Sequence, residues 1–184
     1  PFSSAIRMIL ESHEPYPVYV INRWWELIDA NAAGRRIFPQ TGDGPTNLVD
    51  AILGPGPMRE MIDNFSAVGW AFLRRMRREA VNSGPDERLQ ELLKRAEAYM
   101  KDVPVDAQNA GLDLVVCPHL RIGDQVIKTV SMEARFGTPR EVTLDELRVE
   151  LVFPRDEKAE AFFRRSAQAA RAPVGHAVIS ALAS

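Results

Sequence analysis

From Met58 to Ala80 the apolar positions Met58, Met61, Ile62, Phe65, Val68, Phe72, Leu73, Met76 and Ala80 lie on one stripe at 3.6-residue spacing. One long amphipathic helix is expected there, with Pro57 in its first turn. Trp70 projects off the stripe, so a buried Trp70 has to touch something other than the surface the stripe covers. The run Ser83-Gly-Pro-Asp86 opens a second amphipathic helix with Leu89, Leu92, Leu93, Ala96 and Met100 inward. Shorter helices are expected over residues 3–13, through Ile6, Ile9 and Leu10, over 32–38 behind an Asn31 cap, and over 48–53 before Gly54-Pro-Gly-Pro57.

The remaining periodicity is that of strands. Residues 17–21 and 24–28 are two β-rich runs separated by Asn22 and Arg23, which suggests a hairpin. Beyond Pro104 the period falls to about two, and 112–120, 125–136 and 144–153 are candidate strands with turns at Gly123-Asp124 and Gly137-Thr-Pro139. The five strands are thus centred near Val18, Trp25, Val115, Val130 and Val149. Pro154 ends the sheet, Asp156 caps a last helix carrying Ala159, Phe162, Phe163 and Ala167, and 172–184 has no clear period. Short late turns imply antiparallel pairing. The expected fold is α+β, a five-stranded antiparallel sheet with helices covering one face, and the helices inserted between strands two and three form a lid with room for a cavity beneath. Residues 1–14 then form an N-terminal linker helix, 15–170 the α+β domain and 171–184 a tail.

Composition narrows the chemistry. A chain of 184 residues with 46% hydrophobic content can bury one core. Its 23 basic and 25 acidic residues nearly cancel, so the positive excess of a nucleic-acid-gripping surface is missing. Cys117 is the single cysteine, which excludes an intrachain disulfide and a thiolate zinc cluster and fits the cytoplasm. No apolar run reaches the roughly 20 residues that span a bilayer, so no membrane association is expected. His13, His119 and His176 are scattered, and no metal site or cofactor is expected; haem ligation by His119 competes with an ordinary strand-end histidine. Asp145-Glu146 and Asp86-Glu87 are adjacent pairs pointing in different directions, and nothing nucleophilic sits in an activating motif, so the chain is not expected to be an enzyme. Arg74, Arg75, Arg77 and Arg78 fan away from the apolar stripe and are expected to form a solvated helix face.

Several stretches resemble a known family. Trp25-Glu-Leu-Ile-Asp-Ala-Asn31-Ala-Ala33 resembles the strand-to-helix entry of PAS domains. Pro15-Tyr-Pro-Val-Tyr-Val20, Leu73-Arg-Arg-Met-Arg-Arg-Glu79 and the run from Phe136-Gly-Thr-Pro through Val152-Phe-Pro-Arg-Asp156 are similar to the MmyB-like transcription regulator ligand-binding domain, over residues 4–165 in all. The resemblance implies a PAS-like fold, a role as the sensory half of a bacterial transcription regulator, and a small, often lipid-like ligand such as a fatty acid. It also implies a homodimer, with DNA contacted only through a helix-turn-helix domain outside this sequence. The chain departs from the pattern at Phe65, where relatives carry Trp, at Trp70, and at Cys117-Pro-His-Leu-Arg121.

The Met and aromatic stripe admits two readings, plain core or a wall that remoulds around an aliphatic ligand; the resemblance favours the second. The expected ligand-binding residues are Met61, Phe65, Phe72, Lys128, Met132 and Phe136. Lys128 is expected on the same strand face as Val126, Val130, Met132, Ala134 and Phe136, as a snorkelling rim lysine or as the anchor for a ligand carboxylate. The rival function is a structural dimerisation domain with a filled core, and Ile6, Ile9 and Leu10 are the expected dimer contacts in either case.

Overall fold

A computed structural model describes residues 2–38, 45–105, 117–135 and 147–171. Helix α1 (Phe2–Ser12) leads into β1 (Val18–Ile21), β2 (Leu27–Ala30) and α2 (Ala32–Ile37). A π-helical turn (Val49–Leu53), α3 (Pro57–Met61), α4 (Phe65–Asn82) and α5 (Glu87–Met100) follow, then β3 (His119–Ile122), β4 (Gln125–Ala134), β5 (Arg148–Pro154) and α6 (Glu157–Arg171). The five strands form one antiparallel sheet in the order β2-β1-β5-β4-β3. First and last strands are therefore neighbours at its centre. The expected α+β class, antiparallel pairing and PAS-like arrangement hold. No helix among the described residues is long and apolar enough to cross a membrane.

Asn31 ties the start of the domain together. Its Oδ1 accepts from Gly34 N at 2.9 Å, capping α2, and also from Val18 N at 3.1 Å, while its Nδ2 donates to Tyr16 O at 2.7 Å. The residue is 5% exposed, and these bonds use both acceptor positions and one of the two donors of its amide. Gly34 is required beside it: a Cβ there would lie 2.9 Å from Val18 O and from the Tyr19 ring. Asp86 and Asp156 cap α5 and α6 by accepting from Leu89 N and Ala159 N.

Two expectations need correction. The long helix from residue 57 is two helices, because Ile62 leaves the helix to bridge Leu120, Asp63 N donates to His119 O, and Asn64 both donates to Cys117 O and accepts from His119 N. Strand β2 begins at Leu27, not at the paired tryptophans. Trp25 instead takes a left-handed conformation (φ 61°) inside a wide turn where Asn22 Oδ1 accepts from Trp24 N and Glu26 N. The third strand occupies His119–Ile122, and the proposed centre at Val115 lies outside the described residues.

Both faces of the sheet are used. Ile127, with Ile37, Ile62, Val68, Leu120, Ala159 and Phe163, forms one core on the face that carries α2 and α6. On the other face Leu10 packs with Val18, Val20 and Val149, joined by Ile6, Ile9 and Leu151. Of the expected dimer contacts, Leu10 is buried against its own sheet, while Ile6 and Ile9 beside it are only partly buried. Burial of each such aliphatic side chain contributes about 1.5–3 kcal/mol.

Candidate functional site

Helix α4 stands away from the sheet. Its Leu73, Met76 and Ala80 pack with Leu89, Leu92, Ala96 and Met100 of α5 in the largest core, and Gly69 permits the close approach, since a Cβ there would lie 2.8 Å from the Met100 thioether. Of the apolar stripe read from the sequence, Leu73, Met76 and Ala80 therefore face α5, with Met76 wholly buried, whereas Met58, Ile62, Val68 and Phe72 lie on the side away from it. Trp70, off that stripe, donates its Nε1–H to Val103 O and Pro104 O at 3.2 Å each, where the chain leaves α5.

Between α4 and the sheet is a cavity of about 530 Å³. Its floor is formed by Tyr19 and Ile21 of β1, Val152 of β5 and Thr129 and Ser131 of β4; its roof by Ile52, Met58, Ala71 and Phe72. Most of this lining is apolar. Thr129 is 1% exposed and settles its hydroxyl by donating to Pro118 O at 2.7 Å. Burial pushes the Tyr19 phenol far above its ordinary value.

One end of the cavity is ionic. Arg75 of α4 pairs with Glu133 of β4, with Glu150 of β5 at 3.5 Å and with Glu79 one turn along at 3.2 Å. Glu133 and Glu150 face each other across the strand pair, and Arg75 neutralises what would otherwise be a repulsive couple. Next to them Arg148, whose side chain is only 5% exposed, donates from Nη1 to both Glu79 oxygens at 3.0 and 2.9 Å. Its guanidinium lies 3.7 Å from the centre of the Trp25 ring, Arg75 lies 4.9 Å from it, and Phe72 packs against it at 4.2 Å. Burial pulls the Arg148 pKa down to about 10, against the upward pull of Glu79. Arg148 Nε, Arg148 Nη2 and Trp25 Nε1 are buried without an acceptor among the described residues.

The expected site residues separate. Phe72 and Met132 border the cavity, while Met61, Phe65 and Lys128 do not, and Phe136 lies outside the described residues. The strand face was assigned the wrong way round: Ile127 and Thr129 point inward and are buried, whereas Lys128, Val130 and Met132 are exposed. Met132 reaches the cavity's edge yet is 56% exposed and opposite Leu151 on the outer face. Lys128 sits across from His119 on that outer face, where burial and the Lys128 charge hold the imidazole below its usual pKa. Phe65 instead carries the Arg59 guanidinium 4.2 Å from its ring.

Sequence reading missed Arg75, Glu79, Glu133, Arg148 and Glu150. A signal was present in β5, where Arg148, Glu150 and Val152 alternate with Val149, Leu151 and Phe153, but charged positions in an alternating strand ordinarily mark the solvent side. Here both sides are covered, and the charges are matched by α4.

Removing one partner of a buried pair leaves the other charge uncompensated. Glu79→Gln is expected to cost roughly 2–4 kcal/mol in urea unfolding, and the double change Glu79→Met with Arg148→Met to cost less than the single one. A loss below about 0.5 kcal/mol for Glu79→Gln would show that the pair does not hold α4 to the sheet.

No curated protein matches the chain. The family model for the MmyB-like transcription regulator ligand binding domain matches residues 2–165. That span includes every strand and the whole cavity lining, and the chain accordingly belongs to the MmyB-like transcription regulator ligand binding domain family.

Proposed function

We propose that the cavity beneath α4 is the sensory site of the regulator and holds an apolar, fatty-acid-like small molecule. The single observation that carries this reading is the space itself: about 530 Å³ of mostly apolar volume within a folded domain, inside the range of roughly 300–1,000 Å³ typical of small-molecule sites. Well-packed interiors leave few voids larger than a water molecule, so a purely structural domain with a filled core would have no reason to keep it. Phe72 and Met132 stay in the proposed site from the sequence, joined by Ile52, Met58 and Ala71. A ligand switches the regulator to the extent that it prefers one arrangement of the domain over another. The domain acts in the cytoplasm, with DNA read by a helix-turn-helix unit outside residues 1–184.

Ala71 offers the cleanest test, because its methyl borders the cavity and a larger side chain there fills it from the roof. Ala71→Phe is expected to abolish calorimetric binding of dodecanoate while leaving the circular dichroism spectrum unchanged; undiminished binding would place the ligand elsewhere.

The regulator is also proposed to work as a homodimer, as reading two-fold-related half-sites demands. Met8 at 67% and Val130 at 39% exposure, with the half-buried Ile6 and Ile9, supply apolar surface that pairing would bury. Light scattering at micromolar concentration should give twice the chain mass, and a monomer mass contradicts the pairing.

A further inference from the structure

Val152 of β5 belongs both to the cavity and to the start of the domain. Its side chain lines the cavity, as do Pro17 just before β1 and Ser131 opposite it on β4. The register Val18 to Leu151 makes Pro17 and Val152 the next pair along the two strands. Hydrogen-bonded partners in an antiparallel ladder exchange both backbone bonds. Val152 N donates to Pro17 O at 2.9 Å, but the return bond cannot form, because proline has no N–H.

His13 supplies that bond instead. Its Nε2 lies 2.9 Å from Val152 O; a carbonyl only accepts, so this nitrogen carries the ring proton. The ring stands edge-on to Phe153, with centroids 4.7 Å apart, and to Tyr16 at 5.8 Å. His13 N donates to Ile9 O at 3.2 Å, so the same residue closes the last turn of α1. The chain beyond it is tied elsewhere: Glu14 Oε1 accepts from Ala33 N at 3.2 Å, Tyr16 O accepts from Asn31 Nδ2, and the Tyr16 hydroxyl donates to Glu160 at 3.4 Å. Residues 14–16 are thus anchored to α2 and α6, and a displacement of Val152 reaches the end of α1 through the His13 ring.

We infer that His13 couples occupancy of the cavity to the docking of α1. This rests on the cavity being the ligand site and adds the route by which occupancy is felt outside it. Side chains bordering an empty space lack contact partners on one side. A molecule that fills the space restrains Pro17 and Val152, keeps the Val152 carbonyl within reach of His13 and tightens the last turn of α1. Such coupling is reciprocal: if occupancy favours the bond, the bond favours occupancy by the same factor. His13 itself does not border the cavity, so it acts as a positioning residue.

Hydrogen exchange of the α1 amides in the full chain, with and without saturating dodecanoate, tests this, because exchange reads local opening. In the original protein dodecanoate is expected to slow exchange over residues 10–13 about tenfold. In His13→Phe, which keeps a ring and removes the donor, these amides should exchange faster at rest, dodecanoate should no longer slow them, and its calorimetric affinity should fall by the same factor. His13→Gln, which keeps an N–H donor, should restore the response. Exchange over residues 10–13 that is unchanged by bound dodecanoate, a response that survives His13→Phe, or one that His13→Gln does not restore, overturns the coupling and leaves the cavity as a ligand site. Failure of dodecanoate to bind the original protein overturns the cavity reading and the coupling with it.

Discussion

Everything at the centre of this domain depends on how α4 is held over the sheet. At its C-terminal half the helix meets the strands through long charged side chains: Arg75 reaches Glu133 and Glu150, and Glu79 takes the buried Arg148. Pairs of this length keep a helix at a distance that direct aliphatic packing would close. Near the other end Val68 enters the core built on Ile127 and Leu120. Between the two attachments neither helix nor sheet has side chains long enough to meet, and the space remains. Leu73, Met76 and Ala80 of α4 meanwhile turn to α5, so the helix gains its burial without collapsing onto the strands.

The ionic attachment is costly to build and is braced accordingly. A guanidinium taken out of water carries a desolvation penalty that one carboxylate rarely offsets alone. Arg148 is supported by Glu79 and by the face of Trp25, and Trp25 is held in a left-handed turn closed by Leu48 N donating to its carbonyl at 2.7 Å. Backbone strain at a non-glycine residue persists only where the surroundings over-determine it. The same cluster joins α4, the entry to β2, β4 and β5. A molecule entering the cavity beside Arg75 and Trp25 therefore touches four elements through one set of contacts, which is the physical requirement for a local event to bias the arrangement of the domain.

Local chemistry was legible in the sequence and long-range pairing was not. The Asn31 cap, the Gly123-Asp124 turn and the Asp156 cap depend on residues within a few positions of each other, and each sits where the pattern put it. The antiparallel sheet followed from its short late turns. The break at residues 62–64 was hidden because the apolar spacing continues through Ile62 and Phe65, although Asp63-Asn64 is a poor helix pair; the bonds that cause the break come from Cys117 and His119, more than fifty residues away. The inverted face of β4 has a similar origin. Val126, Val130 and Met132 look more apolar than Ile127, Thr129, Ser131 and Glu133, yet the polar set faces inward because Pro118 O and Arg75 satisfy it. Arg75 reads as part of a solvated face because a helical wheel records only the covered stripe; it is half-buried against Glu133 and Glu150, whereas Arg77 and Arg78 are exposed as expected.

If the stand-off of α4 exists to admit a ligand, the space should be occupied when the protein is taken from cells. Native mass spectrometry of the freshly purified chain reads this directly. A folded species heavier than the chain by the mass of a small amphiphile, released on collisional activation, is the outcome expected. A bare chain mass, unchanged after incubation with a mixture of medium-chain acids and alcohols, would contradict the ligand-binding reading and leave the cavity as a packing defect.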